Sequence, residues 1–187
     1  MKTTTGYENG RFALVVTDVQ KKFSESTEGL REGTPGMIRT VNDAIGLFHS
    51  TGNPIIYAKY TGPMYDGHPT CEGGDDFTDG LIPPEANDRI VCKDHMNAFS
   101  ESDLEDVLKE EGCDSVLLAG MVSQCCVIAT YYLYDFYVDR IGKHGIEFYW
   151  VCKSATDPDN VEAVERICRT LTVDDLGRNA GFKGDVL

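Results

Sequence analysis

From Arg11 to Val19 the chain reads Arg11-Phe12-Ala13-Leu14-Val15-Val16-Thr17-Asp18-Val19, apolar and β-branched with no polar alternation until an acid closes it. Such a run predicts a strand covered on both faces. Similar short runs follow at Pro54–Tyr60, Arg89–Lys93, Ser115–Ala119 and Gly145–Cys152, with a shorter one at Leu171-Thr172-Val173. Between them the apolar period lengthens. Gly33-Thr34-Pro35-Gly36 is expected to break the chain, after which Met37, Ile38, Val41, Ala44, Ile45, Leu47 and Phe48 recur at helical spacing until Thr51-Gly52-Asn53-Pro54. Ser102 with Glu105 offers a capping box for a helix through Leu104, Val107 and Leu108. Further helices are expected from Val127 to Val138 and, after Asp157 or Asp159, through Val161, Val164, Ile167 and Cys168. Residues 61–88 are rich in Gly, Pro and Asp and lack periodicity, the mark of a loop that covers a functional site.

Strands alternating with helices predict an α/β protein: a three-layer α/β/α sandwich around a parallel, Rossmann-like sheet of five to six strands, in the order 3-2-1-4-5-6. A length of 187 residues without repeats or linkers predicts one domain over 1–187, with its core at about 11–173. No apolar run approaches a membrane span, and residues 1–10 lack the apolar stretch of a signal peptide, so a cytoplasmic protein is expected. The net charge of −14 argues against a nucleic-acid partner and an anionic membrane surface. Seven cysteines without zinc-ribbon spacing point to free thiols rather than a disulfide framework.

In open parallel sheets, ligands bind beyond the carboxyl ends of the strands. Asp18 closes the first run, Lys93 the third, and Cys126 follows the fourth. Each alone has an ordinary explanation: a loop cap, a solvated charge, a small core residue. Together at one rim, an acid, a cation and a thiol make an activated nucleophile. The strand-to-helix junction also offers unpaired N–H groups and the positive end of a helix dipole, which favour a thiolate.

These residues resemble the isochorismatase-like cysteine hydrolase superfamily, which includes nicotinamidases, N-carbamoylsarcosine amidases, ureidoacrylate amidohydrolases and isochorismatases. Asp18-Val19-Gln20 with Phe23 is similar to its opening motif. Lys93 followed by Asn97-Ala98-Phe99 is similar to its lysine signature, and Gly120 followed by Cys126-Val127 and Ala129-Thr130 to its nucleophile motif. The resemblance covers about residues 11–170. It implies an Asp18–Lys93–Cys126 triad and a substrate contact at Phe23. It also implies a cis peptide at Met121–Val122 and an oxyanion hole made by the backbone N–H groups of Val122 and Cys126. Cys125 falls at a variable position and is expected to be structural.

The implied reaction is hydrolysis of a small-molecule amide, ureido or carbamoyl C–N bond through a thioester, without cofactor. The alternatives are an isochorismatase-type hydrolase of another bond, a silent oligomeric binding protein, or a redox protein using Cys125-Cys126, whose adjacency disfavours that last role. Nicotinamidases carry a D-x-H metal motif after the second strand. Here that stretch is Lys59-Tyr60-Thr61-Gly62-Pro63-Met64-Tyr65, and His68 is the only histidine between Gly52 and Arg89, so no metal is expected and His68 is assigned to the loop surface. Lys153 stands where the family often has an acid. Tyr131, Tyr132, Tyr134, Phe136 and Tyr137 crowd one helix, and with the family's habit of assembling they imply a homo-oligomer, a dimer or tetramer.

Overall fold

A computed structural model describes residues 11–68, 71–132, 148–156, 166, 168 and 170–178. Strand β1 (Phe12–Thr17) is buried at every position. Its alternate side chains feed two separate cores. Phe12, Leu14 and Val16 join Tyr57, Leu117 and the apolar face of helix α2 (Glu28–Thr51), which follows the one-turn helix α1 (Lys21–Ser24), on one side. Ala13 and Val15 join Ile56, Val91, Leu118, and Leu104, Val107 and Leu108 of helix α3 (Leu104–Glu110) on the other. The period of two along a strand therefore puts helices on both faces, and the run is apolar throughout because neither face meets water.

The remaining strands are β2 (Ile55–Tyr60), β3 (Arg89–Lys93), β4 (Ser115–Gly120), β5 (Phe148–Thr156) and β6 (Thr170–Leu171). They form a six-stranded sheet in the order β3-β2-β1-β4-β5-β6, as the alternation of elements predicts. The pairs are all parallel. The order reverses at β1, so the crevice beyond β1 and β4 is the switch point where ligands bind in such sheets. The register shifts between Leu118 and Gly120 along β5.

Several boundaries differ from the sequence pattern. The chain does not break at Gly33–Gly36. Helix α2 starts at Glu28 and runs 24 residues straight through Pro35. Proline withholds one helical hydrogen bond, yet Leu30, Thr34, Met37, Ile38 and Val41 are all buried and continue one face across it. Thr27 caps the start, its hydroxyl accepting from the Leu30 N–H at 3.1 Å. At α3, Ser102 accepts from the Leu104 N–H at 3.2 Å, and Glu105 pairs with Lys109 one turn on. The fifth strand is described over Phe148–Thr156 and runs four residues past the expected end at Cys152. The sixth is Thr170–Leu171, and a short helix α4 (Val173–Arg178) follows it. The anticipated helix after Asp157 and most of the tyrosine-rich segment lie outside the described residues.

Candidate active site

Each functional side chain is delivered by the end of a strand. After β1, Asp18 turns the chain with a φ of 52°, a left-handed conformation that aspartate tolerates better than most residues. Its N–H still donates to the Ala58 carbonyl at 2.9 Å, so the turn stays anchored to β2. Lys93 is the last residue of β3 and reaches across β2 to meet it. Its Nζ lies 2.6 Å from Asp18 Oδ2, and both side chains are fully shielded from solvent. The ammonium also donates to the carbonyls of His95 at 3.0 Å and Met96 at 3.4 Å. A buried ion pair is tolerable only with such additional partners.

The end of β4 requires a glycine. Gly120 has a φ of 118°, and a Cβ there would sit 2.1 Å from the Thr17 carbonyl oxygen. That close approach lets Met121 N–H donate to Thr17 O at 2.9 Å, locking the turn onto β1 beside Asp18. The Met121–Val122 peptide is cis, as the family resemblance implies. Next comes a widened helical turn over Ser123–Val127, in which the Val127 N–H reaches back five residues to Val122 O at 3.4 Å. A regular helix continues over 128–132. The sequence pattern does not foresee the wide turn.

Cys126 sits in that turn, only 5% exposed. Its thiol faces Asp18 closely enough for each to act on the other's protonation, but short of full hydrogen-bond geometry, so Asp18 Oδ1 has no conventional partner. Burial, and then the Asp18 charge, push the thiol well above the ordinary thiol range, and the nearby Lys93 charge only partly offsets this. Burial also raises Asp18, against the opposing pull of Lys93. The expectation of a resting thiolate is therefore corrected. The wide turn gives Cys126 a shielded pocket beside a carboxylate, and both features favour the neutral thiol. One consequence is measurable. If Asp18 must be ionised to accept the thiol proton, alkylation of Cys126 by iodoacetamide is expected to fall on acidification at a pH above the ordinary carboxylate range, because the raised Asp18 protonates early. A rate that stays flat down to that range would remove Asp18 as the base.

Thr130 ties the lysine and cysteine motifs together. Its hydroxyl donates to Cys126 O at 2.7 Å and accepts from the Ala98 N–H at 3.0 Å, fully buried. Thr130→Val would leave the buried Ala98 N–H without its hydroxyl acceptor and is expected to cost about 1–3 kcal/mol. Urea denaturation checks this, with Thr130→Ser as the rescuing variant.

A cavity of about 380 Å³ opens at the thiol. Of the sequence-derived candidates, Phe23, Val122 and Cys126 line it, while Asp18 and Lys93 stand buried behind Cys126. Cys125 also lines it. Two residues that the sequence reading passed over complete the surroundings. The Lys22 ammonium, 8% exposed, donates to Tyr60 O at 2.8 Å and pairs with Asp75 at 2.7 Å. The Tyr60 ring takes the Lys22 and Lys93 ammoniums at 5.0 and 5.1 Å from its centroid. Gln20 stitches β1 to β2, accepting from the Tyr60 N–H at 2.8 Å and donating to Tyr60 O at 3.1 Å. The alternation of charge and aromatic in Lys21-Lys22-Phe23 and Lys59-Tyr60 was the available signal, but nothing local says that Lys22 is buried.

His68 is not a solvated surface side chain. Its ring stands edge-on to Phe23 and Tyr65, and its Nε2 lies 2.8 Å from the Lys22 carbonyl. The ring is drawn in because the loop folds back over the aromatic wall of the cavity. One group among the described residues has metal-ligand character, Asp94, His95 and Glu101, all exposed and already linked by a 2.6 Å contact between Asp94 and His95.

A strand-end acid–cation pair behind a buried thiol, on a parallel sheet in this order, is the architecture of a hydrolase class known from other proteins. The chain matches the Isochorismatase domain over residues 12–133 and belongs to the isochorismatase family of hydrolases. It is 24% identical over 167 residues to the uncharacterized isochorismatase family protein YddQ of Bacillus subtilis, covering 86% of this chain and 79% of that one. It is 24% identical over 135 residues to maleamate amidohydrolase of Pseudomonas putida, covering 63% of this chain and 62% of that protein. Its fold is similar to that of N-carbamoylsarcosine amidase from Thermoplasma acidophilum, with a TM-score of 0.67 at 21% identity, covering 88% and 97% of the two chains. Amidohydrolases are thus among its relatives. No helix among the described residues is long and apolar enough to cross a membrane.

Proposed function

We propose that this protein is a cysteine-dependent hydrolase of a small-molecule C–N bond that works through a thioester. The observation that carries the reading is the buried Lys93–Asp18 pair facing the Cys126 thiol at the mouth of a cavity. Asp18 takes the thiol proton as sulfur attacks the amide carbon. Its raised affinity for protons makes it a stronger base than an exposed carboxylate. Lys93, fixed by two carbonyls, keeps the carboxylate in place and supplies positive charge as the thiol ionises. The Val122 and Cys126 amides hold the tetrahedral oxyanion, where losing one donor typically costs about a hundred-fold or more in rate. Protonated Asp18 then returns the proton to the departing nitrogen, ammonia or an amine leaves, and water deprotonated by Asp18 hydrolyses the thioester.

Cys71, Cys92, Cys113, Cys125, Cys126 and Cys168 carry free thiols, which fits action in a reducing, cytoplasmic setting. Assembly of identical chains through the aromatic helix belongs to the same reading, and Tyr132, at 43% exposed, is its described contact residue. Ammonia release across primary amides, ureido acids and carbamoyl amines tests the reaction. Release from at least one class, with a transient acyl adduct on Cys126 seen by mass spectrometry, is expected. Turnover of an ether bond with no C–N hydrolysis would favour isochorismatase-type chemistry instead.

A further inference from the structure

The cavity at Cys126 has a chemical character of its own, and three observations define it. Its walls are apolar: Phe23, Leu30, Tyr60, Met64, Met96 and Val122 surround the thiol, while the polar side chains among its lining, such as Ser26, Thr27 and Gln124, carry no charge. Its rim is also apolar. Tyr65 is 70% exposed and Met96 58%, two of the four large hydrophobic side chains that the described residues leave open to solvent. A surface that leaves such groups bare around a cleft is suited to an apolar ligand.

The third observation concerns the cations. Among the residues whose side chains are described, Lys93 and Lys22 are the ammonium groups beside the cavity, and neither is available to a substrate anion. Lys93 is fully shielded and bound to Asp18 at 2.6 Å. Lys22 is bound to Asp75 at 2.7 Å, with the Phe23 and Tyr60 rings packed against it. A substrate carboxylate would therefore be desolvated against aromatic and thioether surface with its natural counter-charges already taken. The chain's net charge of −14 adds a repulsive field at longer range.

We infer that this site takes uncharged amides whose acyl part is an aryl or alkyl group, and disfavours acyl groups that bear a carboxylate. The inference rests on the hydrolase reading for its reaction, but its selectivity can be read without turnover. Such a ligand would place its ring or chain between Phe23, Leu30 and Met64 and present its carbonyl to Cys126. Selectivity would then come from what the wall cannot solvate rather than from a dedicated hydrogen bond.

The test is alkylation of the intact protein with N-phenyl-iodoacetamide and with iodoacetate. Second-order rates at Cys126 are followed by peptide mass spectrometry, and each is divided by the rate for glutathione. The neutral aryl reagent is expected to hold a normalised advantage of about tenfold or more, as an unpaired charge in an apolar wall predicts. Met96→Arg puts a cation on the exposed rim without touching the core, and is expected to cut that advantage several-fold by accelerating iodoacetate. Equal or faster normalised labelling by iodoacetate in the unaltered protein overturns the inference, as does a Met96→Arg variant with an unchanged ratio. Ammonia release from phenylacetamide and from succinamic acid is measured alongside. Release from neither, nor from any ureido or carbamoyl compound of the wider screen, would overturn the hydrolase reading, while the labelling ratio would still decide the character of the pocket.

Discussion

Cys126→Ala is expected to abolish ammonia release, by about 10⁴-fold or more, as removal of a covalent nucleophile does when its partners act as a unit. Cys125→Ala is expected to keep most of it. The two thiols are neighbours in sequence and both line the cavity, so lining the cavity does not separate them. Their surroundings do. Cys126 is buried and faces the Asp18 carboxylate, with the Lys93 charge close by, whereas Cys125 is half-buried. The alanine side chain is smaller than the thiol by one heavy atom, so both variants are expected to melt close to the parent. Any difference in turnover then reports chemistry. Equal loss from the two substitutions would remove the assignment of the nucleophile, and full activity in Cys126→Ala would end the covalent mechanism.

The strands and their order were legible because burial on both faces leaves an unmistakable run of β-branched residues. The alternate burial of Phe12, Leu14 and Val16 against Ala13 and Val15 is the same fact seen in three dimensions. The meeting of Asp18, Lys93 and Cys126 was legible for a related reason: once the sheet is parallel, residues at strand carboxyl ends share a rim. Helix α2 was misread because Gly33-Thr34-Pro35-Gly36 is a strong local breaker, and its local cost is outweighed by a buried face that begins at Leu30 and is visible only when the sheet is in place.

The protonation state of the site was illegible for a different physical reason. Helix-end dipoles and N–H groups can be guessed from a strand-to-helix junction, and they argue for thiolate. Solvent exclusion cannot be guessed from it, and here exclusion dominates. The same holds for Lys22 and Tyr60. A lysine in sequence defaults to water, and only the fold shows this one against Tyr60 and Asp75. The character of the pocket thus depended on contacts between elements that are distant in the chain.

Lys93→Met is expected to be nearly as damaging to turnover as loss of the thiol, and far more damaging to stability. The ammonium makes three contacts, to Asp18, His95 O and Met96 O, with no access to water. Methionine matches its length and apolar stem but supplies none of these contacts. Breaking one side of a buried ion pair costs about 3–5 kcal/mol, a large part of the roughly 5–15 kcal/mol that holds a domain folded. Asp18 limits that cost by taking up a proton, since burial already raises it and Lys93 is the main charge holding it down. Protonation also removes the base, so turnover fails even in molecules that stay folded. The sign follows: the single variant is expected to be relatively more stable in acid, where Asp18 is neutral, and to lose stability as pH rises and the carboxylate must ionise without a partner. Asp18→Asn/Lys93→Met separates the two consequences. Asparagine accepts the left-handed backbone at position 18 and carries no charge, so the double variant is expected to recover much of the stability at neutral pH and none of the activity. Urea denaturation across pH, together with ammonia release, reads both. A Lys93→Met protein as stable and active as the parent would show that the buried pair neither supports the fold nor serves the thiol.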